Sequence, residues 1–193
     1  MSGKVGALVL AAGFSHRFGS VKLCASLDNG NTVFEQTLQR LQQAIDEVVV
    51  VTRPELAEPL IQVCDSLEIF DQAEKGMGAT LAYGISLVSD WDACLVCLAD
   101  MPFITSQTYA QLARAQQSDH ITVPEYQGRQ GNPVGFGQKF FAELGSLSGD
   151  KGGRAIMQHY PEALHSINVE DAAILHDIDT PDDLRRLQAE AAD

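Results

Sequence analysis

Three loops hold the residue types that handle phosphates. The first is Leu10-Ala11-Ala12-Gly13-Phe14-Ser15-His16-Arg17-Phe18-Gly19-Ser20-Val21-Lys22, which carries two of the chain's 13 basic residues. Glycine lets backbone amides approach phosphate oxygens, and Arg17 and Lys22 supply countercharge. The spacing is not that of a P-loop, because five residues separate Gly13 from Gly19 and Lys22 stands three further on. It also lacks the Gly-x-Gly-x-x-Gly dinucleotide fingerprint. The second loop, Gln72 to Thr80, sets Gly76 and Gly78 at a helix entry, where backbone N–H groups can meet an anion or a base edge. The third, Leu98-Ala99-Asp100-Met101-Pro102, puts one carboxylate at a strand end, kept extended by the nearby proline. A lone Asp in that position suits Mg²⁺, which keeps several waters and takes one or two protein carboxylates. Taken singly, each loop also reads as an ordinary turn, helix entry or cap.

Other reactive residue types lack the spacing that chemistry needs. Cys94 and Cys97 form a Cys-x-x-Cys, but residues three apart in a strand point to opposite faces, so the two sulfurs cannot share a metal. Both are expected to be buried structural cysteines. The five histidines show no His-Glu-x-x-His spacing and no serine sits in a Gly-x-Ser-x-Gly elbow. His16 reads as a solvated loop histidine, although its loop places it near a substrate.

The elements that position these loops follow from apolar patterning. Val5 to Leu10 is a continuous branched run, as expected of a strand buried on both faces. Runs at residues 48–51, 67–70 and 93–98 repeat it, separated by segments of helical length. Alternating strands and helices predict a largely parallel sheet covered on both faces, with ligands beyond the carboxyl ends of its strands. Helices are expected over 33–45, 55–65, 78–89 and 106–117. After Ile121-Thr122-Val123, the turn cluster from Tyr126 to Pro133 predicts a hairpin or edge excursion, which makes the sheet mixed. Two short helices fit 138–146 and 152–160, and a last helix follows Thr180-Pro181, with Thr180 as N-cap.

Composition bounds the partners. The 193 residues carry 26 Asp and Glu against 13 Lys and Arg, a net charge of −13, which opposes binding to nucleic acid or to an anionic membrane. The longest apolar stretch, Val5 to Phe14, is about ten residues, well short of a membrane span. Lys4 and the run after it imitate a short secretory leader, but a first strand explains them better. Four scattered cysteines do not make a disulfide framework, so a reducing cytoplasm is expected. No linker divides the chain, and 1–193 reads as a single domain.

Taken together, Leu10-Ala11-Ala12-Gly13-x-Ser15-x-Arg17-Phe18-Gly19-x-x-Lys22, then Leu98-Ala99-Asp100-Met101-Pro102, Gly131-Asn132-Pro133, Gly149-Asp150-Lys151-Gly152 and Asp177-Ile178-Asp179-Thr180-Pro181 resemble a known family. The chain looks like the molybdenum-cofactor nucleotidyltransferases, the cytidylyltransferase branch especially. The resemblance implies a Rossmann-like, three-layer α/β nucleotide-diphospho-sugar transferase fold with a mostly parallel, mixed central sheet. It implies Mg²⁺-dependent attack by the terminal phosphate of molybdopterin on the α-phosphorus of CTP, with loss of pyrophosphate. Carried over by position, Leu10, Ala11, Ala12 and Gly13 line the base and ribose, with Gly76 and Gly78 framing the base. Arg17 and Lys22 follow the triphosphate, Asp100 holds the metal with Asp179 as second ligand, and Asn132, Lys151 and Arg154 lie toward the acceptor. Asp177 competes with Asp179 for the second ligand position. The implied recipient of the product is a molybdenum hydroxylase apoenzyme. Two alternatives stand beside this: transfer to another small phosphorylated acceptor, and a non-catalytic accessory protein that carries the cofactor. A glycosyltransferase of related fold would present Asp-x-Asp, whereas position 98 is Leu.

Overall fold

The computed structural model describes residues 3–14, 17–64 and 66–192. Strand β1 (Val5–Ala11) is central to the sheet, paired in parallel with β2 (Val48–Thr52) on one side and β4 (Ala93–Leu98) on the other. The short β3 (Leu67–Ile69) extends the sheet beyond β2. β7 (Val134–Gly137) runs antiparallel to β4 and joins it to β5 (Ile121–Tyr126). β5 also pairs with β6 (Arg129–Gln130) through a tight turn at Gln127-Gly128, where both φ angles are positive, and in parallel with β8 (Leu164–Asn168). The eight-stranded sheet is therefore mixed, as the turn cluster predicts.

Alternation along the central strands builds two cores. Ala7, Val9 and Ala11 of β1 face one core with Leu95 and Cys97 of β4, while Leu8, Cys94 and Val96 face the other. Cys94 and Cys97 thus lie on opposite faces, both fully buried. Helix α1 (Val33–Gln42) brings Phe34, Leu38 and Leu41 to the first core, one stripe at helical spacing. Helices α2 (Pro54–Ile61) and α4 (Ser106–Arg114) cover the same face through Leu56, Leu60, Tyr109 and Leu112. Helix α3 (Met77–Leu87) covers the opposite face with Leu81 and Ile85, and Gly84 lets it approach Leu8. The short α5 (Phe141–Leu144) and α6 (Arg154–His159) complete that layer. Helix α7 (Pro181–Ala192) follows Thr180 and contributes Leu187 to the first core.

The differences from the sequence reading are local. The helix expected over 138–146 is a 3₁₀ turn, Gln138–Phe140, running into α5. β8 was not expected. It lies with much of its length exposed, so its composition carries no apolar run.

Candidate functional site

Register places the chemistry. Leu10 of β1 pairs with Leu98 of β4, and the Ala99 N–H donates to the Leu10 carbonyl at 3.2 Å. The two strands therefore end together, and their loops open side by side at the carboxyl edge of the sheet. The Asp100 loop is pinned from three sides. The Thr37 hydroxyl donates to the Ala99 carbonyl, Arg40 donates to the carbonyls of Phe103 and Ile104, and the Ile178 N–H donates to the Asp100 carbonyl.

That last bond brings in the segment 177–179. Ile178 is fully buried, so in extended chain the residues on either side of it share the opposite side. Asp177 and Asp179 consequently do not compete for one place, and one oxygen from each of Asp100, Asp177 and Asp179 falls within 4.8 Å of the others. Two cations face the cluster. Lys22 Nζ lies 2.6 Å from Asp100 and 3.5 Å from Asp179, and Arg17 lies 2.9 Å from Asp179. The Lys22 side chain is only 9% exposed, whereas that of Arg17 is 73% exposed. Burial pushes the Asp100 carboxyl above its ordinary value, and nearby Asp177 adds to this, while the Lys22 charge opposes both.

These carboxylates fit a divalent cation. Asp100 Oδ1 is buried and has no hydrogen-bond partner, an arrangement that costs free energy unless something accepts its lone pairs. An all-oxygen set suits Mg²⁺ or Mn²⁺ better than a softer metal.

The cluster lines a cleft of about 530 Å³. Leu10, Ala11, Ala12 and Gly13 line it together with Arg17, Lys22, Gly76, Asp100, Asp177 and Asp179. A Cβ on Gly13 would meet nothing within 4 Å, so no packing requirement calls for glycine there, and its bareness leaves room for a ligand. A second cavity of similar volume adjoins the cleft, lined by Asn132 and Arg154 over a floor that includes Val96, Val123 and Phe136. Asp150 lines both cavities.

Residues 7–164 match the model of the MobA-like NTP transferase domain. The chain belongs to this family of nucleotidyltransferases. Among relatives of the MobA-like domain, purine catabolism protein PucB of Bacillus subtilis (strain 168) is 29% identical over 188 residues, 90% of this chain and 91% of that protein. A probable molybdenum cofactor guanylyltransferase of Bacillus cereus is 30% identical over 132 residues. The match covers 66% of this chain and 64% of that relative, a little under two thirds of its length. The crystal structure of Rv0371c from Mycobacterium tuberculosis H37Rv superposes with a TM-score of 0.84 at 25% identity, covering 98% of this chain and 100% of that one. The same protein in complex with manganese gives a TM-score of 0.78 at 26% identity, over 96% and 98% of the two chains. The Rossmann-like transferase architecture expected from the sequence is therefore the one found.

Within this MobA-like site, the sequence-expected residues divide. Nine of them, Leu10 to Gly13, Arg17, Lys22, Gly76, Asp100 and Asp179, line the first cleft, and Asn132 and Arg154 line the second cavity. Gly78 and Lys151 line neither. A Cβ on Gly78 would sit 2.5 Å from the Lys151 carbonyl oxygen, and the Gly78 N–H donates to the Gly149 carbonyl. Gly78 is thus a packing glycine that lets α3 press on the loop at 149–151, and the Lys151 side chain is exposed on that loop. His16 and Ser15 lie outside the described residues. Phe14 and Asp150 line the cleft although the sequence reading gives them no role, and Asp177, the rival candidate for the second ligand position, lines it beside Asp179. Asp150 sits inside the Gly-Asp-Lys-Gly motif, which was the available signal.

Proposed function

We propose that the chain transfers CMP from CTP to the terminal phosphate of the molybdenum cofactor. A phosphate oxygen of the acceptor attacks the α-phosphorus of CTP. A new P–O bond forms as the bond to the bridging oxygen of the β-phosphate breaks, and pyrophosphate leaves with that electron pair. The attacking group is already an anion, so catalysis is positioning and charge neutralisation rather than strong base catalysis. The observation that most supports this reading is the cleft in which Lys22, Arg17 and three carboxylates converge beside a second cavity holding Arg154.

In this reading Gly13 admits the nucleotide to the β1 loop, Lys22 and Arg17 follow the triphosphate, and Arg154 attracts the acceptor phosphate while Asn132 orients its body. Asp100 and Asp179, with Asp177 beside them, would hold Mg²⁺. The ion, when bound, would neutralise phosphate charge. CTP is assigned on Ala12, which lines the cleft: the resemblance ties Leu-Ala-Ala-Gly to cytidylyl transfer and Leu-Ala-Gly-Gly to guanylyl transfer, and a methyl at position 12 would fill space that a smaller pyrimidine leaves. GTP is the second reading, favoured by the relatives named molybdenum cofactor guanylyltransferase. We place the protein in the cytoplasm, with a molybdenum hydroxylase apoenzyme as recipient of the product. Among the described residues no helix is long and apolar enough to cross a membrane.

A thermal-shift panel of CTP, GTP, ATP and UTP, each with Mg²⁺, tests the nucleotide assignment. A ligand at 100 times its dissociation constant stabilises the fold by about 2.7 kcal/mol. The largest shift is expected with CTP. No shift with any nucleotide would support the accessory reading instead.

A further inference from the structure

Phe14 occupies an unusual place for its type. It follows Gly13 in the first loop, lines the nucleotide cleft and is 41% exposed, whereas Phe18, Phe34, Phe136, Phe140 and Phe141 are all buried. Exposure of that much of an aromatic residue forgoes apolar burial. Among the described residues lining the cleft it is the sole aromatic side chain.

The ring is also held by a cation that does not line the cleft. The Arg53 guanidinium lies 4.6 Å from the Phe14 ring centroid, within the range of a cation–π contact. Sheet register explains how Arg53 comes to be there. Thr52 of β2 pairs with Ala11 of β1 and its hydroxyl donates to the Ala11 carbonyl, so Arg53 emerges next to the start of the β1 loop. Its side chain is 14% exposed and Nη1 is paired to Glu55 at 3.0 Å. Its Nε is buried and makes no hydrogen bond. Arg53 has thus left water with one in-plane partner and with its charge set against the ring, a costly placement unless the ring position matters.

We infer that Phe14 is the stacking surface for the nucleobase, and that Arg53 is a positioning residue that holds the ring from outside the cleft. The inference rests on the nucleotide-binding reading of the cleft. Its physical basis is that Lys22, Arg17 and the carboxylates gather at one part of the cleft and suit phosphates, while a base needs an apolar face. Stacking on an aromatic ring tolerates any base, because every base has a π-face. Phe14 therefore strengthens binding of the nucleoside end without choosing between CTP and GTP, which leaves that choice to contacts at the base edge.

The test is calorimetric binding of CTP, GTP and inorganic tripolyphosphate, each with Mg²⁺, to the wild-type protein and to variants. Phe14→Leu is expected to raise the dissociation constants of both nucleotides about tenfold and leave that of tripolyphosphate unchanged, while Phe14→Tyr stays within about twofold of wild type. Arg53→Gln is expected to weaken nucleotide binding about threefold in the wild-type background and to have no further effect in Phe14→Leu, the signature of action through the ring. Unchanged nucleotide binding in Phe14→Leu, or an equal loss for tripolyphosphate, would overturn the stacking role. An Arg53→Gln effect that persists in Phe14→Leu would overturn the positioning role. If the wild type binds tripolyphosphate and neither nucleotide, the nucleotide reading itself fails, an outcome distinct from either of these.

Discussion

Lys22 Nζ sits 2.6 Å from Asp100 Oδ2, although 78 positions separate the two residues. Lys22 opens a 3₁₀ turn at the end of the first loop, and Asp100 stands two residues beyond β4. Their side chains are 9% and 19% exposed, so the pair interacts in surroundings much drier than a surface ion pair. The other Asp100 oxygen is left without a partner. One carboxylate thus meets a fixed cation on one side and carries an uncommitted lone-pair set on the other.

Asp100→Asn keeps the shape of the side chain and removes its charge. Turnover is expected to fall by at least about a hundredfold, the scale on which a single electrostatic contribution acts in a dry site, with the fold retained at a cost of no more than about 2 kcal/mol, because Lys22 loses its nearest charge but keeps Asp179 at 3.5 Å. The check is steady-state kinetics at saturating Mg²⁺. Near-normal activity there would remove Asp100 from metal binding.

Lys22→Ala leaves three carboxylates facing one another without their buried cation. Removing one partner of a fully buried pair costs about 3–5 kcal/mol, and partial exposure of Asp100 reduces this to an expected loss of about 2 kcal/mol. Added Mg²⁺ is expected to restore much of that stability but not kcat/KM. Denaturant midpoints with and without Mg²⁺ measure it. A loss that Mg²⁺ does not touch would mean that Lys22 serves packing alone.

Much of this site was legible because its residues carry their chemistry in their types. β1 and β4 read as branched apolar runs since both faces of the central strands are buried. Their ends then locate Gly13, Lys22 and Asp100 at the carboxyl edge. What was illegible depends on tertiary register. Gly76 and Gly78 look alike in sequence and both pack against the loop at 148–151, yet only Gly76 lines the cleft. Sequence alone leaves Asp177 and Asp179 as rivals for one ligand position, whereas burial of Ile178 between them puts both in the cluster. β8 escaped notice because strand pairing with β5, rather than apolar pattern, defines it.

Asp183 accepts hydrogen bonds from the Thr180 N–H and hydroxyl and a longer one from the Asp179 N–H. It caps α7 and steadies Asp179 together. Asp183→Ala is expected to cost about 1 kcal/mol, as loss of a cap does, and to raise the Mg²⁺ concentration needed for half-maximal activity. The hydrogen bonds to Asp183, the Thr180 hydroxyl foremost, hold its carboxyl below the ordinary carboxylate value. A lowered folded value adds stability that is present above about pH 4 and lost as pH falls. The stability gap between wild type and variant should therefore narrow on acidification. Urea midpoints at neutral and strongly acidic pH check this, and a gap that widened in acid would contradict it.

Gly78→Ala would set a Cβ 2.5 Å from the Lys151 carbonyl oxygen, a contact backbone cannot yield cheaply. The expected cost is about 1–3 kcal/mol, as for overpacking. Displacement of the loop bearing Asp150, which lines both cavities, should lower kcat/KM as well. Thermal unfolding and kinetics of the variant report the two effects, and a stable, fully active variant would contradict both.

Ala12→Gly removes the methyl on which the proposed choice of CTP rests. A methyl-sized change in a pocket is worth about 1–3 kcal/mol, so GTP use relative to CTP should rise without full reversal. The ratio of kcat/KM for the two nucleotides, in wild type and variant, reads this. A wild type that already prefers GTP would move the assignment to guanylyl transfer.

The most direct test of nucleotidyl transfer follows the α-phosphate. Purified protein is incubated with Mg²⁺, the molybdenum cofactor and CTP labelled at the α-phosphate, and the label is traced alongside released pyrophosphate. The expected result is label on the cofactor in equal amount to pyrophosphate, absent in Asp100→Asn and absent without the acceptor. If no label reaches the cofactor from CTP or from equally labelled GTP while both nucleotides bind, the proposed transfer is contradicted.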